Sequence, residues 1–257
     1  MTRPEHTFSV GRDDASLRVL WLHGYTGAPG AFRETAEYLA RALDAFVYLP
    51  LLPGHGTDEC DLIGIEAAAF YTAADEAARF TRRDGVPFVV LGYSFGSYLA
   101  AAVAQRYAAD GLVLALTPFL PRFPGSLHGF ERAMALRTFW DKHLTDEDIR
   151  DRAGTFYYPN VPGTSLDLVK RGNAMLREIV PTLSCPILTF HNEGDPVVRP
   201  ESGREILALH EKKNHDEAYL FPGGRHALFF RPSHEKENDL LMQFLAGIRE
   251  RHGATAP

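Results

Sequence analysis

Short apolar runs alternate with longer stretches of helical period along most of this chain. The first clear run, Leu17 to Leu22, ends at His23-Gly24, and an apolar run closed by a glycine turn predicts a buried strand. Pro29 opens a predicted helix on which Phe32, Ala36, Leu39, Ala40 and Leu43 recur at helical spacing. Ala45 to Leu49 predicts a second strand, stopped by Pro50-Leu51-Leu52-Pro53-Gly54-His55-Gly56, whose prolines and glycines make a loop. Ile65 to Arg82 has no internal proline or glycine and predicts a long helix. Val86 to Leu91 predicts another strand. Gly96, Leu99, Ala100, Val103, Ala104 and Tyr107 mark a helix whose small residues suit close packing on a sheet, and Gly111 to Leu116 returns to strand.

From Thr117 to about Leu183 the alternation stops, in a segment too long for a plain connection, which predicts an inserted cap. It resumes with Ile187 to His191 as strand, Glu201 to His210 as helix and Ala218 to Phe221 as strand. A last helix carries Leu240, Leu241, Phe244, Leu245 and Ile248, with Ser233 as its N-cap. The expected fold class is therefore α/β: a mostly parallel sheet with helices on both faces, built from residues 1–117 and 184–257 and interrupted by a cap over 118–183. Ligands of such sheets bind at the carboxyl ends of the strands.

Composition narrows the partners. A chain of 257 residues suits one large core with an insertion better than two unrelated domains. With 27 Lys+Arg against 33 Asp+Glu, a formal charge of −6 and no basic block, nucleic acid is not an expected partner. The amino-terminal segment Met1-Thr2-Arg3-Pro4-Glu5-His6 is polar and acid-containing, and no apolar stretch approaches the roughly 18 residues that span a bilayer, so the expectation is a soluble, cytoplasmic protein without stable membrane insertion. Cys60 and Cys185 lack Cys-x-x-Cys spacing and are expected to be small buried apolar residues. The sequence has no His-Glu-x-x-His, Walker-type loop or dinucleotide fingerprint, so neither a metal nor another cofactor is implied.

The candidate chemistry lies in the loops after the strands. Gly92-Tyr93-Ser94-Phe95-Gly96 follows a predicted strand and opens a predicted helix, the context in which Gly-x-Ser-x-Gly presents a serine on a tight turn. A serine hydroxyl is a weak nucleophile at neutral pH and needs a base, and the base needs an orienting group. His226, in a glycine loop after the last predicted strand, is the best-placed base among 11 histidines. Asp195, in Gly194-Asp195-Pro196 after the strand ending at His191, can accept the other imidazole N–H, with Glu193 two residues away. His23 and His55 also sit in glycine loops and read as loop-bracing hydrogen-bond partners, not as chemical groups.

The order Ser94, Asp195, His226 is the order of α/β-hydrolases. With His23-Gly24-Tyr25-Thr26-Gly27 after the first clear strand, Pro53-Gly54-His55-Gly56 after the next, the serine turn, Gly194-Asp195 and the final His226, nearly the whole chain resembles the α/β-hydrolase superfamily, and within it the carboxylesterase and monoacylglycerol-lipase-like branch. That resemblance implies a catalytic triad of Ser94, His226 and Asp195, and an oxyanion hole formed by the backbone N–H groups of Tyr25 and Phe95.

The cap contains Phe119, Phe123, Phe130, Phe139, Trp140, Phe156, Tyr157 and Tyr158, most of them expected to form the cap's own core and the rest to cover an apolar group over Ser94. Together with this aromatic cap, the resemblance implies hydrolysis of a small-molecule carboxylic ester with a small apolar acyl group, or of a monoacylglycerol. An acyltransferase or a perhydrolase would use the same triad, and a non-catalytic small-molecule receptor could reuse the scaffold. The oligomeric state is not legible.

Overall fold

The computed structural model describes residues 6–122, 139–151, 154–211, 215–229 and 235–255. Its main sheet has seven strands: β1 (Phe8–Val10), β2 (Leu17–Leu22), β3 (Ala45–Leu49), β4 (Phe88–Tyr93), β5 (Gly111–Ala115), β8 (Ile187–Asn192) and β9 (Glu217–Phe221). Their spatial order is β1-β3-β2-β4-β5-β8-β9, and every neighbouring pair is parallel except β1 on β3. The chain leaves β2 for β3 on one side and returns to β4 on the other. The carboxyl ends of β2 and β4 thus flank the point where strand order reverses, the usual ligand crevice of such sheets.

Alternate side chains of the strands supply two cores. Leu17, Val19, Trp21, Val89, Leu91, Val113 and Leu188 face one side, where α1 (Arg33–Leu43) and the last helix, α7 (Glu235–Thr255), bring Ala36, Leu39, Leu241, Phe244, Leu245 and Ile248. Leu20, Leu22, Val90, Leu112, Leu114 and Ile187 face the other, against α2 (Ala67–Thr81), α3 (Gly96–Tyr107), α5 (Ser165–Ile179) and α6 (Ser202–Leu209). Each fully buried Leu or Phe contributes about 1.5–3 kcal/mol of transfer free energy, so these two layers fix the strands rigidly beneath the loops they carry.

Several details differ from the sequence expectations. Pro29–Phe32 is a 3-10 turn, and the α-helix begins only at Arg33. The antiparallel edge strand β1 is three residues long, too short for a periodic signal. Cys185 is buried as expected, but Cys60 is exposed, in a 3-10 turn after the second loop. Between β5 and β8 lie a hairpin of β6 (Phe139–Asp141) and β7 (Asn160–Pro162), the short helix α4 (Asp146–Asp151) and α5. Helix α5 packs on α3 and contributes Leu168, Leu176 and Ile179 to the core beside the sheet. The expected cap residues Phe123 and Phe130 and the expected N-cap Ser233 lie outside the described residues.

Candidate active site

Ser94 sits at the carboxyl end of β4 in a left-handed backbone conformation, φ +51°, which costs a non-glycine residue on the order of 1–3 kcal/mol. The turn is possible because the residues two before and two after Ser94, Gly92 and Gly96, lack side chains. A Cβ on Gly92 would come within 2.4 Å of the Ser97 Cα, and one on Gly96 within 2.2 Å of the Leu22 carbonyl oxygen. The Ser94 N–H donates to the Ala115 carbonyl at 2.7 Å, and the Ser97 hydroxyl donates to the Gly92 carbonyl at 3.0 Å. The turn is therefore tied to the next strand and closed on itself, with Ser94 at the amino-terminal end of α3.

His226 lies in the loop after β9 with Nε2 2.9 Å from the Ser94 Oγ and Nδ1 2.7 Å from the Asp195 Oδ2. A carboxylate on Nδ1 keeps the proton there and leaves the Nε2 lone pair for the serine. Asp195 is buried, which by itself disfavours its charge. The adjacent imidazole and the backbone N–H groups of Val197 and Val198, at 2.7 and 3.0 Å, outweigh that and hold its carboxyl below the usual range. It is an anion at neutral pH. Glu193 instead uses backbone: its N–H donates to Phe221 and its carbonyl accepts from Arg122.

Sequence reasoning missed the groups that hold the His226 loop. Buried Asn192, the last residue of β8, donates its side-chain amide to the carbonyls of Arg225 at 2.7 Å and Ala227 at 3.2 Å. The Tyr93 hydroxyl donates to the carbonyl of His226 itself at 3.0 Å. Three successive carbonyls are thus fixed by side chains of two core strands. The only advance signal was a polar pair, His191-Asn192, ending an apolar run. His191 is also buried; burial drops its pKa to about 4, so it is a neutral ring, and Nε2 donates to the Thr117 carbonyl at 3.3 Å. The Arg225 side chain reaches the inserted segment, pairing through Nε with the buried Asp148 of α4 at 2.8 Å.

Tyr25 is the third residue of the loop after β2. That loop abuts the serine turn, since a Cβ on Gly24 would stand 3.3 Å from the Ser94 Cβ, and the Tyr25 and Phe95 rings meet edge to face at 5.4 Å. Among the described residues, neither the Tyr25 nor the Phe95 backbone N–H is engaged in a turn bond. Burial raises the Tyr25 phenol to about 12, so its side chain is neutral; with Phe70 and Phe95 it forms an apolar wall.

The expected bracing histidines brace this loop and the one after β3 against each other. His23 Nε2 accepts the Leu52 N–H at 3.0 Å, and His55 Nε2 accepts the Thr26 N–H at 3.1 Å. Their Nδ1 atoms face the carbonyls of Gly24 and Pro53, both at 2.9 Å, so each ring donates from Nδ1 and accepts at Nε2. Burial lowers both pKa values, that of His55 to about 4, and the rings meet at 4.8 Å. Thr26, at φ +68°, is a second strained position. The inserted segment grips it as well: the Tyr158 N–H donates to its carbonyl at 2.8 Å and the Lys142 ammonium donates to its hydroxyl. Tyr158 also spans to the other loop, donating its hydroxyl to the Gly54 carbonyl at 3.0 Å and accepting the Thr57 N–H at 3.1 Å.

The arrangement sets an imidazole nitrogen within hydrogen-bond reach of a serine hydroxyl. Among the described residues no group of three or more His, Cys, Asp or Glu side chains is arranged to hold a metal ion, and no helix is long and apolar enough to cross a membrane.

Residues 19–235 match the model of a family described as alpha/beta hydrolases. A thermostable monoacylglycerol lipase of Bacillus sp. (strain H-257) is 26% identical over 191 residues, 73% of this chain and 74% of that protein. A pimeloyl-[acyl-carrier protein] methyl ester esterase of Chromobacterium violaceum is 28% identical over 244 residues, 85% of this chain and 90% of its own length. Among solved structures, a monoacylglycerol lipase of Paleococcus ferrophilus superposes with a TM-score of 0.73 at 17% identity, covering 95% of this chain and 98% of that one.

Proposed function

The chain belongs to the alpha/beta hydrolase family, and from that premise we propose that it is a serine hydrolase of carboxylic esters working through an acyl-enzyme. Ser94 attacks the ester carbonyl while His226 Nε2 takes its proton, and Asp195 steadies the imidazolium that forms. The N–H groups of Tyr25 and Phe95 hold the tetrahedral oxyanion; one such donor is worth roughly 2.7–4 kcal/mol. His226 returns the proton to the leaving alcohol, and water, deprotonated by the same imidazole, releases the acid. The single observation that carries this reading is the unbroken hydrogen-bond line from Asp195 through His226 to a serine held at φ +51°.

The substrate class rests on the relatives, a monoacylglycerol lipase and a methyl ester esterase, and on the apolar wall of Tyr25, Phe70 and Phe95. These support small apolar acyl esters or monoacylglycerols, with residues 118–183 acting as a cap over the site. Incubation with a fluorophosphonate followed by intact mass tests the nucleophile: one adduct is expected on the wild type and none on Ser94→Ala. An adduct of equal yield on Ser94→Ala overturns the assignment. Turnover of a p-nitrophenyl ester series with a maximum at one acyl length is expected, and a flat series overturns the apolar-acyl reading. A receptor without chemistry would show no turnover that disappears in His226→Ala.

A further inference from the structure

Thr26 is an odd choice for its place. A β-branched residue at φ +68° is a genuine outlier, in a position where glycine or asparagine would be far less strained, and its neighbours two before and one after, Gly24 and Gly27, show that glycine suits this loop. Such strain persists only where the surroundings over-determine the conformation. Here every polar group of Thr26 is taken. Its N–H goes to His55 Nε2, its carbonyl accepts from the Tyr158 N–H and its hydroxyl accepts from Lys142. Two of these three partners come from the inserted segment, 116 residues away in the case of Lys142. Lys142 is itself fixed there, since its ammonium also donates to the Tyr158 carbonyl. A glycine at position 26 would relieve the strain but offer Lys142 nothing to hold.

The peptide that Thr26 shares with Tyr25 is one bond away from the N–H proposed to hold the oxyanion. We propose that the inserted segment sets that donor through the Lys142–Thr26 contact, so that Lys142 and Thr26 are positioning residues for ester hydrolysis and not only parts of a cover. This rests on the reading of Tyr25 as an oxyanion donor. Its consequence separates it from a covering role. A cover acts on KM and on long acyl groups that reach it. A positioning contact acts on kcat, and on the shortest substrate as much as on the longest, because the oxyanion is common to all of them.

The test compares wild type, Lys142→Met, Thr26→Val, Thr26→Ser and the Lys142→Met/Thr26→Val pair on p-nitrophenyl acetate, with active sites counted by fluorophosphonate. Thr26→Val keeps the shape and removes the hydroxyl; Thr26→Ser keeps the hydroxyl. Lys142→Met and Thr26→Val are each expected to lower kcat about tenfold, less than the roughly 10²–10³ seen when a donor is deleted, with KM within about twofold. The double variant should lose no more than either single one, the mark of one shared interaction. Thr26→Ser should stay near wild type, and inhibition by a phenylboronic acid, which mimics the tetrahedral state, should weaken in parallel with kcat/KM. Where Lys142→Met fails to fold, Thr26→Val, which changes no charge, carries the test alone. Unchanged kcat in Thr26→Val, or a rise in KM without a fall in kcat, overturns the proposal. Ser94→Ala in the same assay distinguishes the two failures. If it is inactive while Thr26→Val is normal, only the positioning role falls; if it turns over normally, the serine-hydrolase reading falls with it.

Discussion

The two halves of the candidate site are held in different ways. On the base side, His226 and its neighbours are clamped by Asp195, Asn192 and Tyr93, all on or directly after strands β8 and β4 of the buried sheet. On the side of the proposed oxyanion donor, the Tyr25–Thr26 loop is held by His55 from the next loop and by Lys142 and Tyr158 from the inserted segment. The proposed base is therefore anchored on the buried sheet, while the proposed donor depends on contacts between loops. Local opening is expected to disturb the donor first. The inserted segment also touches the base side, through the Arg225–Asp148 pair to α4 and through Arg122, which donates to the carbonyls of Glu193 and Val198.

Substitutions can sharpen that contrast. Asp195→Asn, which leaves the geometry in place but reverses the imidazole tautomer, is expected to lower kcat by roughly 10⁴, read in steady-state ester hydrolysis. Asn192→Leu removes two hydrogen bonds from the base loop; kcat should fall by up to about 10²-fold, the scale of an ångström-sized misplacement, and the loss of both bonds, the one to Ala227 fully buried, should lower the melting temperature measured by calorimetry. His55→Leu strips the acceptor from the Thr26 N–H and should cost about tenfold in kcat, or about 1.4 kcal/mol. Arg225→Met takes the guanidinium away from the buried Asp148 carboxylate and should destabilise the fold, yet change kcat by no more than about threefold, because the Asn192 clamp on the loop backbone stays in place. A larger kcat loss for Arg225→Met than for Asn192→Leu would break the comparison.

Acid adds a further test. Burial holds His55 and His191 at about 4, below the ordinary value near 6.5 of an unfolded chain. Between those limits the unfolded state binds more protons, so stability should be greatest above about 6.5 and fall as pH drops toward about 4. Urea midpoints measured across that window check the sign, and His55→Leu should flatten part of the slope.

Much of this site was legible because glycine turns and apolar runs are local signals. Ser94, Asp195 and His226 each follow a strand that its own hydrophobic pattern marks, and Gly92 and Gly96 leave no room for anything larger. The partners of these residues were not legible. Lys142 meets Thr26, and Tyr158 meets Gly54, across more than a hundred residues of sequence, through polar groups whose spacing carries no period. Strands β1, β6 and β7 escaped for a related reason: three residues cannot display an alternation. Asn192 sat in plain view, but only its two bonds to the His226 loop distinguish it from a strand-ending polar residue.

The cysteine that did not stay inside opens a practical route into these questions. Cys185 is buried, and its thiol is pushed up to about 12, out of reach of ordinary alkylating reagents. Cys60 is exposed in the turn beside Glu59, whose carboxylate receives the side-chain amide of Asn160 on β7. Hydrogen bonding to Asp58 and the surrounding carboxylates raise its thiol too, so maleimide coupling should go best slightly above neutral pH. The unaltered chain thus offers a single addressable handle, and a fluorophore attached there would sit at the seam between the sheet's loops and the inserted hairpin, where its emission could follow that seam during turnover.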